Sequence, residues 1–246
     1  MMKSSQSGYG FTMGYLFLMA IPCFLIFAYA INFLLNLFPL VPPAIIERVL
    51  SSTPGVLHVL GGLIAIVLGP FQFLDSLRKR IPWLHRWLGR VYVGAVFVSG
   101  VCGFYISFFA GCYLIGKFGF AALGMLWLRS LEKAVRSIRE GDTAAHKRWM
   151  IRDFALTYAA VMLRWQFPVL RYLEMAPRTA YTVVAFTCWV PQVLAVELWL
   201  MYSEQLSSVC MQPNAEILLE FIRPESWKQW VTTRSEREST HKSIRR

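Results

Sequence analysis

Long apolar segments that contain almost no charge constrain this chain more than any other feature. No charged residue stands between Lys3 and Glu47, and only 16% of the 246 residues are charged, whereas a typical soluble domain has about 25%. A helix of about 20 apolar residues can cross a bilayer because it satisfies its own backbone hydrogen bonds. We therefore expect an integral membrane protein of the all-α class that is embedded in the lipid bilayer.

The apolar segments predict a bundle of about six transmembrane helices within residues 1–202. The predicted spans are residues 11–37, 55–74, 87–109, 118–131, 154–173 and 181–201. The fourth has a short apolar run and a charged end, so five or seven crossings stay open. The first is too long for a cleaved signal peptide, and we expect it to be retained as a helix.

Lys and Arg are divided unequally between the two sides of this predicted bundle. Twenty of the 25 fall on the side that holds both termini, four fall on the other side, and Arg164 lies within a span. Positively charged loops remain in the cytoplasm, so we expect both termini there. This orientation, together with anionic lipid, accounts for the net charge of +11. Nucleic acid is not an expected partner, because it would need a soluble basic face.

Residues 203–246 are predicted to form a cytoplasmic tail. Within it, residues 215–231 interleave apolar side chains with charge and two tryptophans, which is typical of a helix that lies on a membrane surface. The polar residues 232–246 are expected to be disordered.

Three predicted helices each present one face of small or polar residues at helical spacing. These faces are His58, Gly61, Ala65, Gly69 and Gln72; His85, Gly89, Tyr92, Val96, Ser99 and Gly103; and His146, Met150, Asp153, Thr157, Ala160 and Arg164. The glycine ladder allows a second helix or a flat ligand to approach the backbone closely, and tight helix packing is the favoured interpretation for the glycines alone. The polar face of the third helix should point into the bundle.

Two histidines stand at the basic entry of an apolar segment, each just ahead of an R-W-x-x-R sequence. Arg and Trp at a helix end are common interface anchors, which is the ordinary explanation for both sequences. Two imidazoles at one depth on neighbouring helices are also what a six-coordinate haem iron requires. The pattern therefore predicts one haem b with His85 and His146 as axial ligands to its iron. The candidate propionate partners are Arg86, Arg90, Arg148 and Arg152.

The remaining candidate residues fall in two layers. Gln72, Asp153 and Glu197 are expected near the level of His85 and His146. His58 and Arg164 are expected to lie deeper in the membrane. The inner groups could instead bind another metal or relay protons, and His58 could simply form a hydrogen bond across helices. A permanent charge within a span is costly, so Arg164 should meet a lipid phosphate, a carboxylate or a substrate, unless it snorkels to the surface.

Two stretches resemble a known family. They are HVLGGLIAIVLGPFQFLDSLRKRIPWLHRWLGRVY, residues 58–92, and HKRWMIRDFALTYAAVMLR, residues 146–164. Together they resemble the predicted multi-pass membrane proteins that contain domain of unknown function 2306, over roughly residues 55–171. The resemblance implies a helical membrane fold and specifies no reaction.

The predicted architecture is more loosely similar to the six-helix b-type cytochromes. Those proteins hold two haems with four helix histidines, whereas this chain offers three usable histidines and hence at most one such haem. The leading hypothesis is thus a single-haem electron-transfer or reductase component with a quinone or another membrane-soluble partner. The alternatives are a non-redox transporter or lipid- or anion-binding protein that uses His58 and Arg164, and a structural or assembly factor.

Overall fold

The computed structural model describes residues 21–29, 31 and 51–210, and this part of the chain is helical with short connections. Residues 21–29 form an N-terminal helical segment. The helices that follow are α1 (Thr53–Gln72), α2 (Asp75–Arg80), α3 (Pro82–Ser107), α4 (Leu114–Arg139), α5 (Thr143–Thr157), α6 (Ala159–Tyr172), α7 (Pro177–Thr187) and α8 (Val190–Cys210). Residues 8–197 form one compact unit, and the described residues of the second unit, 198–210, continue α8.

Local sequence explains where two of these helices begin. The Ser52 Oγ accepts a hydrogen bond from the Gly55 amide at 3.2 Å, and Pro54 lies in the first turn of α1. At the start of α5 the Asp142 carboxylate accepts from the Ala145 amide at 2.8 Å. Gly141 supplies the positive φ of 82° that the turn between α4 and α5 requires.

The glycine face of α1 packs directly against other helices. A Cβ on Gly61 would lie 2.7 Å from the Ala95 carbonyl oxygen of α3, and one on Gly69 would overlap the Phe154 ring of α5. Ala65, between them, is fully buried. The favoured interpretation of the ladder, tight helix packing, is therefore confirmed, because protein atoms occupy the space in which a flat ligand would lie.

A central apolar cluster joins α1, α3, α4 and α5. Its buried members are Ala65, Tyr92, Val96, Trp127, Leu131 and Leu156. Tyr92 and Val96 come from the α3 face that the sequence analysis identified, and Ser99 on the same face is also fully buried. Membrane helices that bury small and polar groups against one another gain close van der Waals contact and interhelical hydrogen bonds.

Four helical stretches among the described residues are long and apolar enough to cross a membrane: Thr53–Gln72, Pro82–Ser107, Leu114–Arg139 and Pro177–Gln205. They correspond to the second, third, fourth and sixth predicted spans. The fourth is longer than predicted, because the helix continues past its apolar run to Arg139. Most of the first predicted span and the whole predicted surface helix at residues 215–231 lie outside the described residues.

The fifth and sixth predicted spans are each two helices, which differs from the prediction; in the sixth, α7 ends at Thr187 and α8 begins at Val190. The α5 helix ends at Thr157 and α6 begins at Ala159, with Tyr158 between them. At this point the Val161 amide donates to the Tyr158 carbonyl oxygen at 2.9 Å, which is the three-residue spacing of a 3₁₀ turn. The Met162 amide donates to the same oxygen at 3.2 Å, which is the usual four-residue spacing. Neither α5 nor α6, nor the two together, is among the four long stretches.

Candidate functional site

Gln72 and His85 lie together at the basic end of the bundle, where α1 ends and α3 begins. Gln72 is the last residue of α1, and a Cβ on Gly89 of α3 would lie 3.3 Å from its Oε1. His85 stands one helical turn before Gly89. The Gln72 Nε2 and the His85 Nδ1 are both buried and have no hydrogen-bond partner among the described residues. Buried polar atoms of this kind call for an explanation, such as a ligand or a bound water.

His146 lies near this pair, in the first turns of α5. Its Nδ1 donates to the Ala134 carbonyl oxygen of α4 at 2.8 Å, which leaves Nε2 with an available lone pair when the ring is neutral. His85 and His146 are close enough to interact electrostatically. The structure thus brings together the two histidines that the sequence analysis paired, on α3 and α5.

The four arginines beside these histidines differ in their surroundings. Arg86 and Arg90 are exposed, and Arg148 is partly buried. Arg152 instead forms a bidentate ion pair with Glu197 of α8, with Nε–Oε1 at 2.6 Å and Nη2–Oε2 at 2.7 Å. The Arg152 guanidinium also lies over the Trp149 ring, 4.7 Å from its centroid. Two of the predicted site residues are therefore partners of each other.

Asp153 is fully buried at the centre of a hydrogen-bond network between α3, α4 and α5. The Tyr92 hydroxyl donates to its Oδ2 at 2.6 Å, and the Ser130 hydroxyl donates to its Oδ1 at 3.2 Å. Thr157 Oγ1 lies 3.0 Å from the Tyr92 hydroxyl and accepts from the Trp127 indole N–H at 3.0 Å. Donors from α3 and α4 therefore converge on Asp153 and Thr157 of α5.

The sequence analysis identified only part of this network. It placed Tyr92, Asp153 and Thr157 on inward faces, but it missed Ser130 and Trp127 as their partners. The available signal was the helical spacing of Trp127 and Ser130, two hydrogen-bond donors on the charged half of α4. Whether they meet Asp153 depends on which face of α4 packs against α5, and spacing alone does not specify that face.

His58 forms a clasp between α1 and α3. Its Nδ1 donates to the Ser99 carbonyl oxygen at 2.9 Å, and the Ser99 hydroxyl donates in return to the His58 carbonyl oxygen at 2.8 Å. A Cβ on Gly103 would lie only 2.7 Å from the His58 Nδ1, so glycine makes room for the ring. The expectation that His58 can bond across helices is confirmed at this contact.

Arg164 lines a cavity between α6 and the N-terminal helical segment. The cavity has a volume of about 310 Å³ and is lined by Pro22, Leu25, Ile26, Tyr29, Val161, Arg164 and Trp165. Leu25 and Trp165 are 66% and 52% exposed, so the cavity opens on the outside of the bundle. Arg164 is also close enough to His58 for an electrostatic interaction. The structure thus brings these two predicted residues together, as their matched depth suggested.

The contacts of Arg164 leave part of its hydrogen-bonding capacity unused. Its Nη1 donates to the Ala160 carbonyl oxygen at 2.8 Å, and its guanidinium lies 5.6 Å from the centroid of the Tyr29 ring. The buried Nε has no partner among the described residues, and no carboxylate there forms an ion pair with it. A permanent charge, with the N–H groups that Ala160 does not use, therefore lies beside a mostly apolar cavity with few acceptors.

The structure also bears on metal and haem binding. No group of three or more His, Cys, Asp or Glu residues within residues 21–29, 31 and 51–210 is arranged to hold a metal ion. A haem needs only two axial ligands, and a neutral imidazole such as that of His85 or His146 is the kind of group that supplies one. Neither histidine lines the cavity beside Arg164 or the one beside the Arg152–Glu197 pair.

Helices long enough to cross a membrane, with charged and polar side chains held between them, define a multi-pass helical membrane protein. Residues 55–200 match the family described as predicted membrane protein (DUF2306), and the chain belongs to this family. The match extends the likeness seen in the sequence from residue 171 to residue 200 and so includes Glu197. Comparison with curated proteins and with solved structures gave no match.

Proposed function

We propose that this chain binds an anionic amphiphile within the membrane and that Arg164 binds its acidic head. The single observation that carries this proposal is a cation with an unpartnered, buried Nε that lines an apolar cavity. A charged residue near the centre of a span costs about 2.5–3.5 kcal/mol on insertion scales. The hydrogen bond to Ala160 and the contact with the Tyr29 ring offset part of this cost, and an acidic ligand would offset the rest.

The shape and lining of the cavity favour an amphiphile over a small inorganic anion. Leu25, Ile26 and Val161 offer an apolar wall, and Arg164 is the charged residue in the lining. Arg binds carboxylate and phosphate oxygens with two parallel N–H bonds. The ligand class is therefore a hydrocarbon chain that ends in a carboxylate or a phosphate.

Binding can be measured with spin-labelled lipids added to the purified chain in nanodiscs of neutral lipid. One arm uses a labelled fatty acid and the other a labelled phosphatidylglycerol, which separates a carboxylate head from a phosphate head. We expect Arg164→Gln to weaken binding of the preferred lipid by about tenfold or more, the loss expected for charge-assisted hydrogen bonds.

Arg171→Gln is the matched control, because Arg171 is an exposed arginine further along α6. It should leave binding unchanged. Equal affinity in the parent and in Arg164→Gln for both lipids would refute the proposal. Reconstitution of the same variants into vesicles then shows whether the bound lipid is also transported.

We further propose six crossings with both termini in the cytoplasm. In support, α2 and the helix ends that flank Gly141 alternate along the chain with the loops before α4 and before α7. The first group is rich in Lys and Arg, which is typical of cytoplasmic loops. A single cysteine introduced at Ser76 should react with an impermeant thiol reagent only after cells are opened, whereas one at Glu174 should react in intact cells. The reverse pattern would refute this orientation.

A second candidate function is a single-haem electron-transfer or reductase component. The observation that favours it is the pairing of His85 with His146, whose Nδ1 is fixed by the Ala134 carbonyl oxygen. His85 and His146 would hold the iron, and Arg86, Arg90 and Arg148 would be the remaining candidates for the propionates. A bound haem b would supply one-electron transfer, with a quinone as a suitable membrane-soluble partner.

An optical spectrum of purified protein expressed with added haem tests this second function. A sharp reduced-state α-band that is lost in both His85→Ala and His146→Ala is the expected result. His58→Ala is the control and should keep the band, since His58 is bound to Ser99 of α3. Absence of the band in the parent protein would exclude haem and leave the Arg164 site unaffected.

A further inference from the structure

A second amphipathic cavity lies between α4, α5 and α8, away from the Arg164 cavity. It has a volume of about 250 Å³ and is lined by Leu126, Trp149, Arg152, Leu156, Val193 and Glu197. On α5 the lining residues have helical spacing and thus share one face. Trp149 and Arg152 precede Leu156 by one to two turns of α5, and Glu197 follows Val193 by one turn of α8, so the ion pair lies nearer the basic end than Leu156 and Val193. One end of the cavity is therefore charged and the other is apolar.

The charged end keeps both donors and acceptors to spare. Arg152 uses its Nε and Nη2 toward Glu197, which leaves three of its five N–H groups, including both on Nη1. Each oxygen of the Glu197 carboxylate accepts one hydrogen bond and retains capacity for another. The side chains of Arg152 and Glu197 are 22% and 39% exposed, so a ligand can reach them.

The ion pair presents a positive group and a negative group side by side, with no net charge. A headgroup with a net charge would be repelled by one partner as much as it is attracted by the other. A zwitterionic headgroup matches both partners, because its anion can accept from Arg152 while its cation faces Glu197. A primary ammonium can also donate hydrogen bonds to the carboxylate, which a trimethylammonium cannot do.

We propose that this cavity binds a phospholipid with a primary-amine headgroup, such as phosphatidylethanolamine. The phosphate accepts from Arg152, the ammonium donates to Glu197, and an acyl chain lies along Leu126, Leu156 and Val193. Trp149, beneath the guanidinium, holds the arginine in place and presents its ring at the headgroup level. This site does not depend on the Arg164 proposal, because it uses other residues and another headgroup chemistry.

Native mass spectrometry of the purified chain with equal amounts of phosphatidylethanolamine and phosphatidylcholine, matched in their acyl chains, tests this site. The parent protein should retain the ethanolamine lipid about tenfold more than the choline lipid, the preference expected for charge-assisted hydrogen bonds to one carboxylate. Equal retention by the parent would overturn the proposal without any variant, and so would a preference for phosphatidylcholine.

Two variants locate the preference if it is found. Glu197→Gln should abolish the discrimination between the headgroups, and Arg152→Gln should lower retention of both lipids. Glu140→Gln is the control, because Glu140 forms an exposed ion pair with Arg136 at 2.8 Å at the far end of α4. If the preference survives Glu197→Gln, it arises from another part of the surface, and the proposal is overturned. Unchanged helical circular dichroism and unchanged elution on size-exclusion chromatography show that a variant is folded.

Discussion

Asp153 and Arg164 are two charged residues only eleven positions apart, yet their surroundings differ sharply. Asp153 is fully buried between α3, α4 and α5, and both of its carboxylate oxygens accept hydrogen bonds. Arg164 lines an open cavity beside the N-terminal helical segment, and its Nε has no partner among the described residues. Removal of either residue eliminates one formal charge, but the consequences for the two sites should be different.

The difference separates a role in stability from a role in binding. Removing the acceptor of a complete buried network leaves several donors to find new partners, which is costly. Removing a buried cation that has few partners among the described residues eliminates a desolvation penalty and sacrifices few contacts. We therefore expect Asp153 to be needed for stability and Arg164 for ligand binding. The following predictions test that contrast, beginning with the largest expected change in stability.

The largest loss is expected for Asp153→Ala. This change removes the acceptor of Tyr92 and Ser130 and opens a cavity between three helices, so the free energy of unfolding should fall by about 3 kcal/mol. Unfolding in mixed detergent–SDS micelles measures it. Asp75→Ala is the control, because the Asp75 carboxylate pairs with Arg78 at the surface and should contribute less than about 1 kcal/mol. Similar losses in the two variants would contradict the structural role of Asp153.

A smaller loss is expected for Tyr92→Phe, which removes one hydroxyl and keeps the ring. The free energy of unfolding should fall by about 1–2 kcal/mol, because Asp153 loses a hydrogen bond of 2.6 Å to a buried oxygen. The double variant with Asp153→Ala should lose less than the sum of the two single losses, since both changes break the same contact. Strict additivity in the same unfolding assay would show that Tyr92 and Asp153 act separately.

The smallest loss is expected for Arg164→Leu. Without added ligand, the free energy of unfolding should stay within about 0.5 kcal/mol of the parent value or rise, because the variant no longer buries an unsatisfied cation. Addition of the anionic lipid should stabilise the parent protein and not the variant. A loss as large as that of Asp153→Ala would show that Arg164 is a structural residue.

Helical spacing predicted the inward faces well, because it follows from geometry that any helix shares. Tyr92, Val96 and Ser99 are buried as expected, and the glycines of α1 meet α3 and α5. Spacing could not specify which helix each face would meet. The bonds from Ser130 to Asp153 and from Arg152 to Glu197 depend on how whole helices are placed and rotated alongside one another.

The interruption at Tyr158 shows a second limit of sequence reasoning. The apolar run from Phe154 onward predicted one continuous span, and no proline or glycine stands at Tyr158 to signal a break. The interruption coincides with the last residues of the Asp153 network, where the Thr157 hydroxyl bonds the Asp153 carbonyl oxygen at 3.0 Å. A hydroxyl that bonds back to the preceding turn often bends a helix, and whether it does so depends on its neighbours.

The clasp between His58 and Ser99 has a consequence for biogenesis. Every contact that closes α1 onto α3, including the approach of Gly61 to the Ala95 carbonyl oxygen, lies within residues 53–107. This hairpin needs no later part of the chain to complete it. All the atoms of this helix pair are therefore present once the ribosome has released the chain as far as residue 107. The helices α4 and α5 can then assemble on an existing surface.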